Sequence, residues 1–515
     1  MKRLLSGAIV CAALIIAPTA AATQPPCQAP PSPGGEWPMY GHDLANTRSQ
    51  PDEHSITPAA AGKLARAWVF STAASGDDSA FESTPVVDGG CAFVGSSSGV
   101  VYAIDASSGA LVWKRQLSAS SPGEGGTIVG AAAVSGNAVI WLVDQSGGPY
   151  AIALDRSTGS VLWQSAPVVS AAGYYTNASP IVANGLVAFG FSSAEGDPNG
   201  QGGFALLDAA TGQVLKVTST VPPADQAQGY AGGGLWSTPA YEPATGYLYW
   251  SSGNPNSKTK QDPNTNAILK IDLNRSDPTF GQIVASYPGN VDQYTSTLQK
   301  ASQNPACEAS DNDSVPYPLD DPVCGQLDLD FGSSVNLFTD GAGTKLVGAL
   351  QKAGVYHAAR ADTMAPAWTR IVGGPCQVCN AASAAFDGSA IEGVSTPGGT
   401  MFSLAPGSGA VNWASPVADG VHYQSISVAD GVVYTLDGDG FLDAFAAGSG
   451  TPLLRHPMAA DTGTPMGGLV SGGAAIAEHT VVVAATSQSA AAGAITGSGG
   501  SGPGAGAYLI GYRAS

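Results

Sequence analysis

The feature that most constrains this chain is a motif that it repeats. "YAIDASSGALVWK" (Tyr102 to Lys114), "IALDRSTGSVLWQ" (Ile152 to Gln164), "ALLDAATGQVLKV" (Ala205 to Val217) and "FSLAPGSGAVNWA" (Phe402 to Ala414) share one plan. Each reads as a strand, an Asp/Ser-Gly turn and a second strand. Weaker copies begin at Leu269, Tyr356 and Leu442, and most copies follow another hairpin such as "TPVVDGGCAFVGSSSG" or "SISVADGVVYTLDGDG". Equivalent Trp positions recur at about 40 to 50 residues, and four strands at such a period are the signature of a β-propeller. Trp68 lies one period before Trp113 with no full blade ahead of it. It is expected to supply a strand to the last blade, whose remainder lies between about Arg455 and the C-terminus, so that the ring closes without a free sheet edge. The repeats therefore predict an all-β fold, an eight-bladed propeller closed by its N-terminal strand. Trp113, Trp163, Trp368 and Trp413 are expected to pack between blades rather than to touch a ligand.

Residues 1–22 read as a secretory signal peptide: a basic start at Lys2-Arg3, an apolar run from Leu4, and small residues at Ala20-Ala21-Ala22. Residues 23–61 are then an N-terminal extension and 62–515 a single propeller domain, with a disulfide-bearing insertion at about 293–327 that breaks the period. No later apolar run approaches the length of a membrane span. The protein is expected to be secreted or periplasmic. Seven cysteines occur, one of them inside the apolar leader, and the oxidising compartment makes disulfides the default for the other six. Cys307/Cys324 and Cys376/Cys379 are local choices that leave Cys27 for Cys91, but spacing alone does not fix the pairing. Cys376-Gln-Val-Cys379 is followed by Asn380 rather than His, so it is no haem attachment motif. A net charge of −19 argues against nucleic acid as a partner. Only 11% of residues are charged and 68 are glycine, as expected of many turns and little surface helix.

Several polar or aromatic residues stand at strand ends where the repeat does not require them. Glu82 sits in "AFESTPVV", Glu195 in "GFSSAEGDP", Trp236 in "GGGLWSTPA" and Asn254 in "YWSSGNP". Asp328 and Asp330 sit in "LDLDFGSS", and Lys352 in "ALQKAGVY". Comparable places in successive blades face one end of the axis, so these residues are expected to converge on a central pocket. Trp236 opens a strand instead of following a Thr-Gly hairpin, which sets it apart from the blade-packing tryptophans.

Together with the opening "WPMYGHDLANTRSQ", these stretches resemble the quinoprotein alcohol dehydrogenases, and within them the polyvinyl-alcohol-dehydrogenase-like group. The resemblance covers nearly all of the chain after residue 22; "GGGLWSTPAYEPATGYLYWSSGNP" is its most specific stretch. It implies pyrroloquinoline quinone (PQQ) and Ca2+ as cofactors. It implies Glu195, Asn254 and Asp328 as ligands of the cation, Trp236 as the floor beneath the quinone, and Glu82 near the cofactor's edge. Lys352 would stand beside the reactive oxygens, and Asp328, or alternatively Asp330, would be the base. The implied activity is oxidation of alcohols, small or polymeric, with secondary alcohols and polyvinyl alcohol among the candidates. A separate acceptor such as a cytochrome c would take the electrons, since no Cys-x-x-Cys-His occurs in the sequence. Two family features are missing. The matching region "GGTIVGAAAVSGNAV" lacks the adjacent cysteines, and Ile128, Val129 and Gly130 stand where an arginine for the cofactor's carboxylates is expected. Those gaps keep alive a non-catalytic propeller that binds another protein. A calcium-bound sugar-binding or hydrolytic propeller finds no matching set of residues.

Overall fold

The computed structural model describes residues 25–117, 126–194, 197, 199–257, 261–289, 329–374, 380–396, 399–417, 423–467, 472–491 and 506–514. Its strands form eight separate sheets. Blade 1 contains Val86–Asp88, Cys91–Gly95, Val100–Asp105 and Leu111–Gln116, counted outward from the axis. The innermost strands of blades 2 to 8 are Ala133–Ser135, Ile181–Ala183, Ala240–Glu242, Asn336–Thr339, Ala385–Phe386, Ser427–Ala429 and Ala475–Ala477. Blade 8 is composite, as expected from the sequence. Leu64–Ser71 is its outermost strand and pairs antiparallel with Ala507–Ala514, from Leu64 opposite Ala514 to Ser71 opposite Tyr508. The first and last strands thereby close the ring and remove an open edge.

The tryptophans tie neighbouring blades. Nε1 of Trp68, Trp113, Trp163, Trp368 and Trp413 donates to the carbonyl of Ala106, Arg156, Ala209, Pro406 and Ala447, each in the following blade. Each indole lies on the glycine of the next blade's outer hairpin. A Cβ on Gly109, Gly159, Gly212, Gly409 or Gly450 would meet it at 2.3–2.8 Å or come as close to a neighbour. The hairpin glycine is thus required twice over, for its positive φ and for the indole above it.

The segment before the first blade does more than precede it. Backbone bonds link Gly35 to blade 8 (Glu478), Trp37 to blade 1 (Val87) and Pro38 to blade 2 (Val134). Leu44, Ala45, Thr47 and Arg48 then bond Tyr241, Leu337, Phe386 and Val428 of blades 4, 5, 6 and 7. Residues 35–48 therefore circle the axis inside the ring of innermost strands. A disulfide joins Cys27 to Cys91 and anchors the start of this strap to blade 1. Cys307, Cys324, Cys376 and Cys379 lie outside the described residues, as do the leader and the insertion at 293–327.

Two residues before each innermost strand stand Thr84, Ala131, Ser179, Thr238, Ser334, Ser383, Ser425 and Gly473. Backbone N–H groups of one blade donate to the hydroxyl of the next. Gly473 reaches Thr84 (2.9 Å), Ala131 reaches Ser179 (2.9 Å), Thr238 reaches Ser334 (2.9 Å), Ser334 reaches Ser383 (2.9 Å) and Ser383 reaches Ser425 (3.3 Å). This girdle satisfies buried polar groups that no sheet ladder could reach.

Candidate active site

Above the girdle lies an axial cavity of about 380 Å³. Glu82, Trp236 and Lys352 all line it, brought from blades 1, 4 and 5. Ser179, Thr238, Ser334, Ser383 and Ser425 of the girdle also line it, together with Tyr40, Tyr175 and Tyr423. A hydroxyl-rich floor with aromatic walls suits a flat, polar ligand.

Lys352 Nζ lies 2.6 Å from Asp330 Oδ1 and 5.2 Å from the centre of the Trp236 ring. Both members of the ion pair are buried, and the Lys352 backbone N–H also donates to the Asp330 carbonyl. Asn254 is buried too, and its side-chain oxygen has no hydrogen-bond partner among the described residues. Its neighbour Gly253 explains the local geometry. A Cβ there would come to 2.9 Å from Trp236 Nε1 and 3.0 Å from Asp330 Oδ2, so the turn of blade 4 passes directly behind the site. The Gly232-Gly233-Gly234 run makes this possible from the other side. Gly233 N–H donates to the Asn254 carbonyl and Gly253 N–H to the Gly234 carbonyl, and a Cβ on Gly232 would lie 2.2 Å from that Asn254 oxygen. The side chain of Asn256 donates to Ser193 Oγ and the Ala194 carbonyl, tying this turn to the chain that leads to Glu195.

Burial raises the Glu82 carboxyl from its usual 4.5 to about 7. A network behind the site holds Lys352 and the Asn254 turn in register. His357 bonds Tyr287 and Gln351, Gln351 donates to the Asn266 side chain, and Asn266 N–H donates to the Gly253 carbonyl. Burial lowers His357 to about 4, so it is neutral at ordinary pH.

Of the residues expected from sequence, Glu82, Trp236, Asn254, Asp330 and Lys352 are found at or directly behind one cavity. Glu195 and Asp328 lie outside the described residues. Val129 and Gly130 form part of the wall, where the sequence lacks the arginine and paired cysteines. The three tyrosines and the serine girdle went unnoticed in the sequence. Aligning the blades on "ESTP", "ASP", "STP", "GSS" and "QSI" would have found the girdle.

The comparisons agree with this fold. Residues 59–289 match the PQQ_2 family, described as outer membrane protein assembly factor BamB. A polyvinylalcohol dehydrogenase of Pseudomonas sp. is 26% identical over 257 residues, 46% of this chain and 39% of that enzyme. A polyvinylalcohol dehydrogenase of Sphingopyxis sp. (strain 113P3) is 25% identical over 492 residues, 85% of this chain and 70% of that one. Among solved structures, the quinohemoprotein alcohol dehydrogenase of Comamonas testosteroni superimposes with a TM-score of 0.65 at 16% identity, over 93% of this chain and 80% of its own. The chain is similar in sequence to polyvinylalcohol dehydrogenases and to a quinohemoprotein alcohol dehydrogenase, and it shares the propeller fold of the solved quinohemoprotein alcohol dehydrogenase. The match to the first relative covers well under two thirds of that enzyme's length.

The residues present suit a quinone and a divalent cation. Among the described residues the Asn254 oxygen is a hard ligand atom with no hydrogen-bond partner, and Trp236 offers a flat face beside the only cation-bearing side chain that lines the cavity. No cluster of three or more His, Cys, Asp or Glu side chains able to hold a metal occurs among those residues, so a complete ligand set would draw on Glu195 or Asp328. No helix among them is long and apolar enough to cross a membrane.

Proposed function

We propose that this chain is a PQQ- and calcium-dependent alcohol dehydrogenase working in the axial cavity. The observation that carries the reading is the meeting of Trp236, Glu82 and the Lys352–Asp330 pair at one cavity, with the unsatisfied Asn254 oxygen behind it. When bound, the quinone supplies the hydride acceptor and calcium the Lewis acidity. Trp236 would stack against the planar ring, and Asn254 with Glu195 would hold the cation. Asp330 is our assignment for the base that takes the hydroxyl proton, because its carboxylate lies beside Lys352; Asp328 remains the other candidate. Lys352 stabilises negative charge as it develops near its Nζ, in a site where few other charges screen it. Glu82, titrating near neutrality, can present a protonated oxygen as a donor to a ligand carbonyl.

Two relatives are named polyvinylalcohol dehydrogenase and one 1-butanol dehydrogenase (cytochrome c), so polymeric and small alcohols are the candidate substrates and a separate cytochrome c the candidate acceptor. The Cys27–Cys91 bridge supports an oxidising compartment, periplasmic or extracellular. The rival, a non-catalytic scaffold, draws on Val129 and Gly130 in the cavity wall. Reconstitution decides between them: purified protein with PQQ and calcium is offered primary, secondary and polymeric alcohols while dye reduction is followed. Turnover that disappears in folded Asp330→Ala and Asn254→Leu supports the enzyme. Protein that neither acquires quinone absorbance nor reduces dye leaves the scaffold.

A further inference from the structure

Arg48 is wholly buried at the end of the strap, and no carboxylate among the described residues lies within ion-pair distance of it. Among those residues its guanidinium is held by neutral groups alone. It donates to the carbonyls of Ile426 (2.6 Å) and Tyr40, to Ser427 Oγ (3.0 Å) and, at 3.4 Å, to Thr84 Oγ1. It also stacks on the Tyr40 ring, 4.6 Å from its centre. Two of these partners reach toward the cavity. Thr84 is a girdle residue two positions after Glu82, and Tyr40 lines the cavity while its hydroxyl bonds Ser383 and Ser425. Burial brings Arg48 down to about 10, which leaves it cationic at neutral pH. A charge enclosed by neutral dipoles and shielded from solvent acts over a longer distance than a solvated one. Within the cavity itself Lys352 is already engaged by Asp330.

We propose that Arg48 is the positioning residue for the anionic groups of the cavity's ligand: its field, acting through Tyr40 and Thr84, selects a carboxylate-bearing planar molecule. The inference rests on the quinone reading above. It explains how a cavity walled by Val129 and Gly130 can attract a polyanion without a guanidinium touching it.

The probes are PQQ and its trimethyl ester, titrated by quenching of tryptophan fluorescence in the presence of a chelator, so that no metal bridges the carboxylates. The unaltered protein should prefer the triacid by about tenfold, equivalent to about 1.4 kcal/mol. Arg48→Met should bring the two affinities together, whereas Arg48→Lys should keep most of the preference. Because a buried arginine can be needed for folding, a second arm removes an exposed cation that does not line the cavity: Arg360→Met should retain the preference. An unchanged triacid preference in folded Arg48→Met overturns the proposal, as does its loss in Arg360→Met. Equal binding of both probes with dye reduction intact overturns this inference alone. Binding of neither overturns it together with the enzymatic reading.

Discussion

Lys352 Nζ stands 2.6 Å from Asp330 Oδ1, and both side chains are withdrawn from solvent. A buried pair of this kind contributes little net stability, but leaving one charge alone is costly. Lys352→Met should therefore destabilise the protein by about 3 kcal/mol or more, while Lys352→Met/Asp330→Leu recovers most of that loss. Urea unfolding of the two single variants and the double variant measures the coupling. Additive losses would show that the pair is not formed.

Asn254 gives the opposite expectation. Its side-chain oxygen is buried without a partner among the described residues, a cost that Leu of similar volume does not carry. In chelator, Asn254→Leu should melt at or above the temperature of the unaltered protein. With calcium and PQQ in hundredfold excess over their dissociation constants, the unaltered protein should gain about 2.7 kcal/mol and the variant almost none. Thermal scans with and without the ligands read both effects.

Glu82 should mark the pH profile of the ligand-free protein. Its folded pKa, about 7 against an ordinary 4.5, is raised by burial. The folded state then holds the proton more tightly than the unfolded chain. Stability is fully present below about 4.5 and is lost as pH rises through about 7, by up to about 3 kcal/mol. Glu82→Gln, which keeps the neutral shape, should match the unaltered protein at pH 4 and exceed it by about 1–3 kcal/mol at pH 8. Denaturant midpoints across this range test the sign.

Much of this architecture is written locally and could be read from the sequence. The hairpin Asp–Gly turns, the tryptophans that follow them and the solitary Trp68 each carry a short-range signal, and together they specify eight blades and the composite closure. Trp236, Asn254 and Lys352 stood out because they break a pattern. The strap and the girdle were not legible for a physical reason. Residues 35–48 have no hydrophobic period of their own, since those that bond the blades each reach a different one, and the girdle spends one small hydroxyl in six of the eight blades. Such a residue reads as ordinary turn chemistry until the ring brings its equivalents together. Arg48 carries no local signal for the same reason: its partners, Thr84 and Ile426, are distant in sequence.

The indole-on-glycine contact between blades separates two effects that are usually confounded. Gly212 has φ of 72°, and a Cβ there would lie 2.3 Å from Trp163, whose Nε1 donates to Ala209 at 3.1 Å. Gly136, in the inner hairpin of blade 2, has φ of 57° with nothing within 4 Å of its Cβ position. Alanine at Gly136 meets only the backbone penalty of a left-handed conformation, about 1–2 kcal/mol. At Gly212 it must also push the indole off its seat, adding about 1–3 kcal/mol of overpacking. Gly212→Ala should thus be clearly the more destabilising, and pairing it with Trp163→Leu should recover the difference because the obstructing ring is gone. Equal losses at Gly136 and Gly212 would mean that the tryptophan is not packed on the turn, and the account of how the blades lock together would fail with it.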